Sequence, residues 1–260
     1  MKYCRFSSNE IGHIMMKRLQ DKFALITGGT SGIGIETARQ FLAEGATVAI
    51  TGRDEKALAR AQAELGHSTL AIRCDAGDIR AQHDLAQTLA QQWPRLDVLY
   101  ANAGDVTHRS LEDWDEAAWD RLMATNLKGP FFLVQALLPL LNNPSSVILC
   151  GSTSAHIGLP QSSAYAASKA GLLSLAAELV TRGIRVNGLS PGPTETPALD
   201  KLGLSPEQQR AMQEQIRQLV PIGRMGTPWE LAKAAVFLAS DESRFVVGTE
   251  LLVDGGVANL

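Results

Sequence analysis

The sequence predicts an α/β fold: a doubly wound, seven-stranded parallel sheet with helices on both faces. Three observations predict it. Short apolar or β-branched runs alternate with longer amphipathic stretches, so the hydrophobic period switches between continuous and about 3.6. The short runs are nearly continuous in apolar character, as strands buried on both faces must be. Glycine punctuates the strand ends, and Ser, Thr or Asp precedes several helical stretches, as caps require.

The expected strands, in order, are FALIT (23–27), TVAIT (47–51), TLAIRC (69–74), DVLYANAG (97–104), SVILCGS (146–152), IRVNGLSPG (184–192) and ELLVDGG (250–256). Between them ETARQFLAEG, DEKALARAQAELG and IRAQHDLAQTLAQQW carry helical spacing. Two longer helices with broad apolar faces are expected around 115–141 and 162–182, and SPEQQRAMQEQIRQLVP reads as another. No repeat, low-complexity tract or linker divides the chain, so residues 17–260 are expected to form one domain. Residues 1–16, MKYCRFSSNEIGHIMM, show no period and no apolar signal core. They read as an extension ahead of a natural start at Met15 or Met16, or as a short ordered arm.

Composition excludes several classes. Of 260 residues, 45% are hydrophobic and 20% charged, which excludes a disordered chain. Lys plus Arg total 24 against 27 for Asp plus Glu, giving −3, so there is no basic footprint for nucleic acid. No run approaches the ~18 apolar residues of a membrane span. Cys4, Cys74 and Cys150 are too scattered for a disulfide framework and fit reduced thiols in the cytoplasm. The histidines at 13, 67, 83, 108 and 156 have no metal-ligand spacing, so no metal is expected.

Two segments carry chemistry. The first strand runs into Thr27-Gly28-Gly29-Thr30-Ser31-Gly32-Ile33-Gly34, where a helix begins. Glycines at 28, 32 and 34 let backbone approach a pyrophosphate, which the helix N-terminus then attracts. Such a turn also forms for purely structural reasons; its place between the first strand and first helix favours a dinucleotide site. In Tyr165-Ala-Ala-Ser-Lys169 the four-residue spacing puts phenol and ammonium on one helix face. A neighbouring cation favours the phenolate, and a tuned phenol can pass a proton to or from an alcohol; taken by itself the spacing is common and fits a surface Tyr–Lys pair better. Ser152, just past the fifth strand, could hydrogen-bond a substrate carbonyl, with Ser154 and Thr153 as rivals. Asn126 is a polar residue in an apolar helical stretch; the plain alternative is an amide satisfied by backbone.

TGGTSGIG, Asn102-Ala103-Gly104, Asn126, Ser152, YAASK and Pro191-Gly192 resemble, in order and spacing, the short-chain dehydrogenase/reductase family. The resemblance runs from about Lys17 to the C-terminus. It implies a single-domain Rossmann fold and hydride transfer between a nicotinamide and a carbonyl/alcohol pair. By the same resemblance Tyr165 is the general acid/base and Ser152 orients the substrate. Lys169 binds the nicotinamide ribose, and Asn126 holds a water that relays protons to Lys169. Gly28, Thr30, Ser31, Gly32, Ile33, Gly34, Asn102, Ala103, Gly104, Pro191 and Gly192 line the cofactor, Asp75 with Ala76 lies at the adenine, Thr196 at the pyrophosphate and Thr194 at the carboxamide. Ala101 departs from the family's usual Asn and should disturb the sheet edge little.

Cofactor choice turns on the end of the second strand, Ile50-Thr51-Gly52-Arg53. Gly52 stands at the family's acidic position and Arg53 can take a phosphate bidentately, favouring NADP(H) over NAD(H). Against this, Arg53 could be a solvated loop residue beside a capping Asp54, and Ser31 stands where many NADP-preferring relatives carry a cation. Asp75 could equally be a turn carboxylate. Residues of about 194–220 resemble the family's mobile substrate lid. His156, in the loop after Ser152, could touch substrate or be an ordinary loop histidine. The leading function is an NADP(H)-dependent oxidoreductase acting on a small-molecule ketone or secondary alcohol. The alternatives are a 3-oxoacyl thioester reductase-like enzyme, weakened because LLPLLNNPSS offers no cation to an acidic carrier, and a non-catalytic NADP-binding regulatory protein. The resemblance also implies a homotetramer.

Overall fold

The structure is a computed structural model that describes residues 17–175, 179–197 and 205–260. The leader 1–16 and part of the expected lid, 198–204, lie outside the described residues. Seven strands form one parallel sheet: β1 Phe23–Ile26, β2 Thr47–Gly52, β3 Leu70–Arg73, β4 Leu96–Ala101, β5 Leu141–Cys150, β6 Ile184–Pro191 and β7 Glu250–Val253. Their spatial order is β3-β2-β1-β4-β5-β6-β7, the doubly wound arrangement expected from the sequence.

Period-two alternation divides each strand between two cores. Ala24, Ile26, Val48, Ile50, Val98 and Tyr100 face α1 (Gly32–Ala43), α2 (Glu55–Leu65) and the last helix, Pro228–Ala239. Leu25, Ala49, Leu99, Val147 and Leu149 face α3 (Ile79–Gln92), α5 (Gly129–Leu137) and α6 (Ser163–Leu172). Both cores are needed to hide a parallel sheet, and this is why its strands read as unbroken apolar runs.

Several boundaries differ from the sequence expectation. The stretch 115–141 is not one helix: α4 (Glu116–Met123) passes through a π-helical turn, Ala124–Lys128, into α5. The segment after α6 continues as a 3-10 turn, Leu173–Leu175. β5 begins five residues early, at Leu141, because Leu141 pairs with Leu96 of β4 and Ser145 and Ser146 pair with β6, with an irregularity in the β4 register between Leu141 and Ser146. β4 stops at Ala101 and β7 at Val253, which frees Asn102–Gly104 and Asp254–Gly256 for turns. Ala101 is buried in the middle of the sheet beside Leu149, not at an edge. The remaining helices are α7 (Pro206–Gln218), which forms the described part of the expected lid, and α8 (Pro228–Ala239).

Candidate active site

Between β1 and β4 the strand order reverses, and such a reversal leaves a crevice at the C-terminal ends of the strands. A cleft of about 710 Å³ lies there.

One end of the cleft is built mainly from backbone. Gly28 (φ +66) and Gly32 (φ +54) take left-handed conformations that side chains disfavour. Ser31 precedes α1 without capping it, so the first N–H groups of the helix have no side-chain partner there. A Cβ at Gly34 would lie 2.2 Å from the Gly28 carbonyl oxygen, so the turn and helix meet this closely only through glycine. The turn is also latched to β4. The Thr27 hydroxyl accepts the N–H groups of Asn102 and Ala103 at 3.0 Å, and Asn102 Nδ2 donates to the Thr27 carbonyl at 2.9 Å. This cradle of glycine and free helix N–H groups fits a pyrophosphate.

At the outer rim Gly52 is paired with Arg73 of β3. A Cβ on Gly52 would fall 2.6 Å from the Thr30 methyl, so a carboxylate side chain there would have to displace Thr30. Arg53 is exposed and lines the cleft, while Asp54 caps α2 by accepting the Ala57 N–H at 2.7 Å. Arg73 Nε donates to the Arg53 carbonyl at 3.2 Å, bringing a second guanidinium to this rim. Asp75 lines the cleft with Ala76 and also closes its own turn, accepting the Gly77 N–H at 2.9 Å. Burial pushes the neighbouring Cys74 thiol up to about 11, which makes it a poor nucleophile at neutral pH.

The other end is built from side chains. Ser152 follows β5 and accepts the Ser154 N–H at 3.2 Å. Of the three adjacent hydroxyls only Ser152 lines the cleft; Thr153 donates to the Pro191 carbonyl instead. Tyr165 and Lys169 project from α6, with the ammonium 5.8 Å from the phenol ring centroid. Lys169 is buried and donates to the Cys150 carbonyl at 2.8 Å. An ammonium has three donors, so two remain for groups in the cleft. A Cβ at Gly104 would approach Lys169 Nζ to 3.4 Å and Asn126 Oδ1 to 3.6 Å, so glycine keeps this corner open.

Asn126 differs from its expectation. It sits in the π-helical turn rather than in a regular helix, and it is the one expected catalytic residue that does not line the cleft. Its amide is satisfied by protein: Oδ1 accepts the Asp105 N–H at 2.7 Å, and Nδ2 donates to the Asp105 carbonyl at 2.8 Å and Ser168 Oγ at 3.1 Å. The wider turn lets the amide reach sideways and pin the loop after β4 to α6.

The segment after β6 spans both ends. Pro191, Gly192, Thr194 and Thr196 line the cleft. Thr194 bridges to Gly226, and Thr196 lies over Gly32, whose Cβ would meet its methyl at 3.3 Å. His156 turns away: its Nε2 lies 2.8 Å from Glu250 Oε2, and it does not line the cleft. Sequence reasoning missed Thr27, Arg73, Thr125 and the loop Asp105–His108. The His108 ring lies 5.1 Å from that of Tyr165, and desolvation lowers its pKa from the ordinary imidazole value. Nothing in the spacing of this irregular loop could have placed it there. Among the described residues no His/Cys/Asp/Glu cluster could hold a metal, and no helix is long and apolar enough to cross a membrane.

Comparison with known proteins agrees with this geometry. A family model described as Enoyl-(Acyl carrier protein) reductase matches residues 28–258. "Oxidoreductase asL5" of Sarocladium schorii is 38% identical over 252 residues, covering 94% of this chain and 99% of its own. The "NADP-dependent (R)-specific alcohol dehydrogenase" of Lentilactobacillus kefiri is 34% identical, covering 93% of this chain and 98% of its own. A solved "short chain dehydrogenase/reductase family protein" superposes with a TM-score of 0.82 at 39% identity, covering 94% of this chain and 100% of its own. With a glycine-rich cradle at one end of the cleft and a serine, tyrosine and lysine at the other, the chain belongs to the short-chain dehydrogenase/reductase family and is an oxidoreductase of alcohol and carbonyl groups.

Proposed function

We propose that the protein uses NADP(H) to interconvert a small-molecule ketone and its secondary alcohol. The observation that carries this reading is the convergence of Ser152, Tyr165 and Lys169 on a cleft whose far rim carries Arg53 and no carboxylate at Gly52.

The bound nicotinamide supplies or takes up the hydride. In the reductive direction the Ser152 hydroxyl donates to the substrate carbonyl oxygen and opposes the charge developing there. Tyr165 transfers its phenolic proton to the same oxygen, so the alkoxide leaves as an alcohol. Lys169, held by the Cys150 carbonyl, presents its remaining N–H groups to the phenolate and to the nicotinamide ribose. Asn126 acts by fixing the Asp105 backbone beside this corner. Gly28, Gly32 and Gly34, with the N-terminus of α1, take the pyrophosphate. Arg53, with Arg73 beside it, takes the 2′-phosphate.

Dependence on NADP in the Lentilactobacillus relative supports the cofactor choice. The carrier-protein wording of the family model keeps a 3-oxoacyl thioester reductase as the second reading. A homotetramer in the cytoplasm completes the proposal, with exposed Trp119 of α4 and Phe131 of α5 as apolar contacts between copies. The test is a carbonyl and alcohol panel followed by nicotinamide absorbance with both nucleotides. Turnover with NADPH well above NADH is expected; equal use of both would overturn the cofactor choice, and no turnover of any member would overturn the reaction.

A further inference from the structure

His108 has no part in the proton transfer just described, yet it is held against the group that performs it. It lies exposed at the cleft mouth, its ring 5.1 Å from the Tyr165 ring and inclined by 52°. Its support is unusual. Gln161, on the loop that leads into α6, takes a left-handed backbone conformation at φ +64, which a residue with a side chain adopts only at a cost. The Gln161 backbone carbonyl accepts the Arg109 N–H at 3.0 Å. A strained residue therefore zips the loop after β4 to the loop before α6, and the imidazole is placed at that seam.

The protonation chemistry of the ring decides what it offers. A neutral imidazole has one N–H and one lone pair. The lone pair can accept a hydrogen bond, which a protonated ring could not. Desolvation lowers the His108 pKa from the ordinary imidazole value, which favours the neutral ring. Asp105, the nearest carboxylate on the same loop, is already taken by the Thr107 N–H at 2.9 Å and by its hydroxyl. The cleft mouth beside Tyr165 thus presents an acceptor close to the phenol that serves the reacting oxygen. A hydroxyl on the carbon next to the reacting one is complementary to that pair.

We infer that His108 is a specificity-determining residue that accepts a hydrogen bond from a hydroxyl adjacent to the reacting carbon, so that the substrate class is α-hydroxy ketones and vicinal diols. The inference rests on the oxidoreductase reading above and names the substrate of that same site.

Acetoin and butanone differ by one such hydroxyl and test it directly. The kcat/KM ratio of acetoin to butanone is expected to be about tenfold or more for the native protein, as sites built for a hydroxyl reject the analogue without one. His108→Phe keeps a ring over Tyr165 but has no lone pair, and should bring the ratio to about one. His108→Gln retains an acceptor and should keep part of the preference. Calorimetry with reduced nucleotide present, which cannot take a hydride from an alcohol, gives a readout without turnover: propylene glycol should lose affinity in His108→Phe by a similar factor, and isopropanol should not. A native ratio near one, or equal losses for both ketones in His108→Phe, overturns this inference while leaving the oxidoreductase reading intact. Absence of turnover for every ketone with either nucleotide overturns both.

Discussion

The two ends of the cleft are built in different materials. At the β1–β3 end the working surface is mostly backbone: Gly28, Gly32 and Gly34 contribute by what they lack, and the uncapped start of α1 supplies N–H groups. At the β4–β6 end it is side chain: Ser152, Tyr165, Lys169 and the Asn126 amide that pins the adjoining loop. A phosphate is bound the same way in every substrate cycle, and a fixed backbone shape suits it. A proton must move, and this needs groups that titrate or donate. The difference predicts opposite responses to mutation. Removing the Ser152 or Tyr165 side chain at the second end should stop chemistry and spare nucleotide binding, while side-chain addition at the first should stop binding.

Tyr165→Phe is the sharpest break. Loss of the proton donor should lower kcat by about 100- to 10,000-fold, the usual contribution of a general acid. NADPH binding, followed by nucleotide fluorescence, should persist. Turnover within threefold or so of native would end the assignment of Tyr165 as the acid. Gly34→Ala is the mirror image. Its Cβ would lie 2.2 Å from the Gly28 carbonyl oxygen and 2.7 Å from Asn102 Nδ2, so the turn must shift. The expected cost is about 1–3 kcal/mol in denaturant stability, with nucleotide affinity falling further because the cradle itself moves. Native affinity in that variant would show that the turn is not the nucleotide cradle.

The same division governs what was legible in the sequence. Strand identity was clear because a sheet buried on both faces forces continuous apolar runs, and glycines that permit a left-handed turn stand out between them. The Tyr165–Lys169 pair was legible because both residues ride on one helix at a fixed spacing. What depends on a loop's path was not. Asp105–His108 has no period, and only the Gln161 and Asn126 hydrogen bonds decide where it goes. The π-helical turn at Asn126 was hidden for a related reason: an extra residue in a turn leaves the apolar pattern of 115–141 almost unchanged while it rotates one amide out of line. Arg73 escaped notice because it stands 20 residues from Arg53 and joins it only through the β2–β3 pairing.

The cofactor rim lies at the boundary of the comparison, since there a side chain joins a backbone site. Arg53→Ala should weaken NADPH by about 10- to 100-fold and NADH little, the loss expected for a charge-assisted bond to phosphate. Arg73→Ala should act in the same direction and less strongly, because its guanidinium is partly engaged by the Arg53 carbonyl. Dissociation constants for both nucleotides check this. Equal losses for NADPH and NADH would mean that the rim steadies the fold rather than reading the phosphate.

The smallest expected effect concerns the strap between the two ends. Gly226 donates to the Pro193 carbonyl and accepts the Glu195 N–H, both at 2.9 Å, and so holds the segment carrying Thr194 and Thr196. The next residue, Thr227, caps α8, with Glu230 closing the capping box and pairing with Arg224. The Arg224 guanidinium first, and then the Thr227 N–H, hold the Glu230 carboxyl down to about 2 from its ordinary 4.5. A lowered folded-state pKa means that the contribution is fully present above pH 4.5 and is lost as pH falls through about 2. Thr227→Ala should cost about 1 kcal/mol in urea unfolding, as cap removals do. Glu230→Gln should cost less near neutral pH because its ion pair is largely exposed, and the two losses should not add, since both residues belong to one box. The stability gap between Glu230→Gln and the native chain should narrow as the pH is lowered from 4.5 towards 2; a gap that widens would reverse the sign of the pairing and detach the strap from this cap.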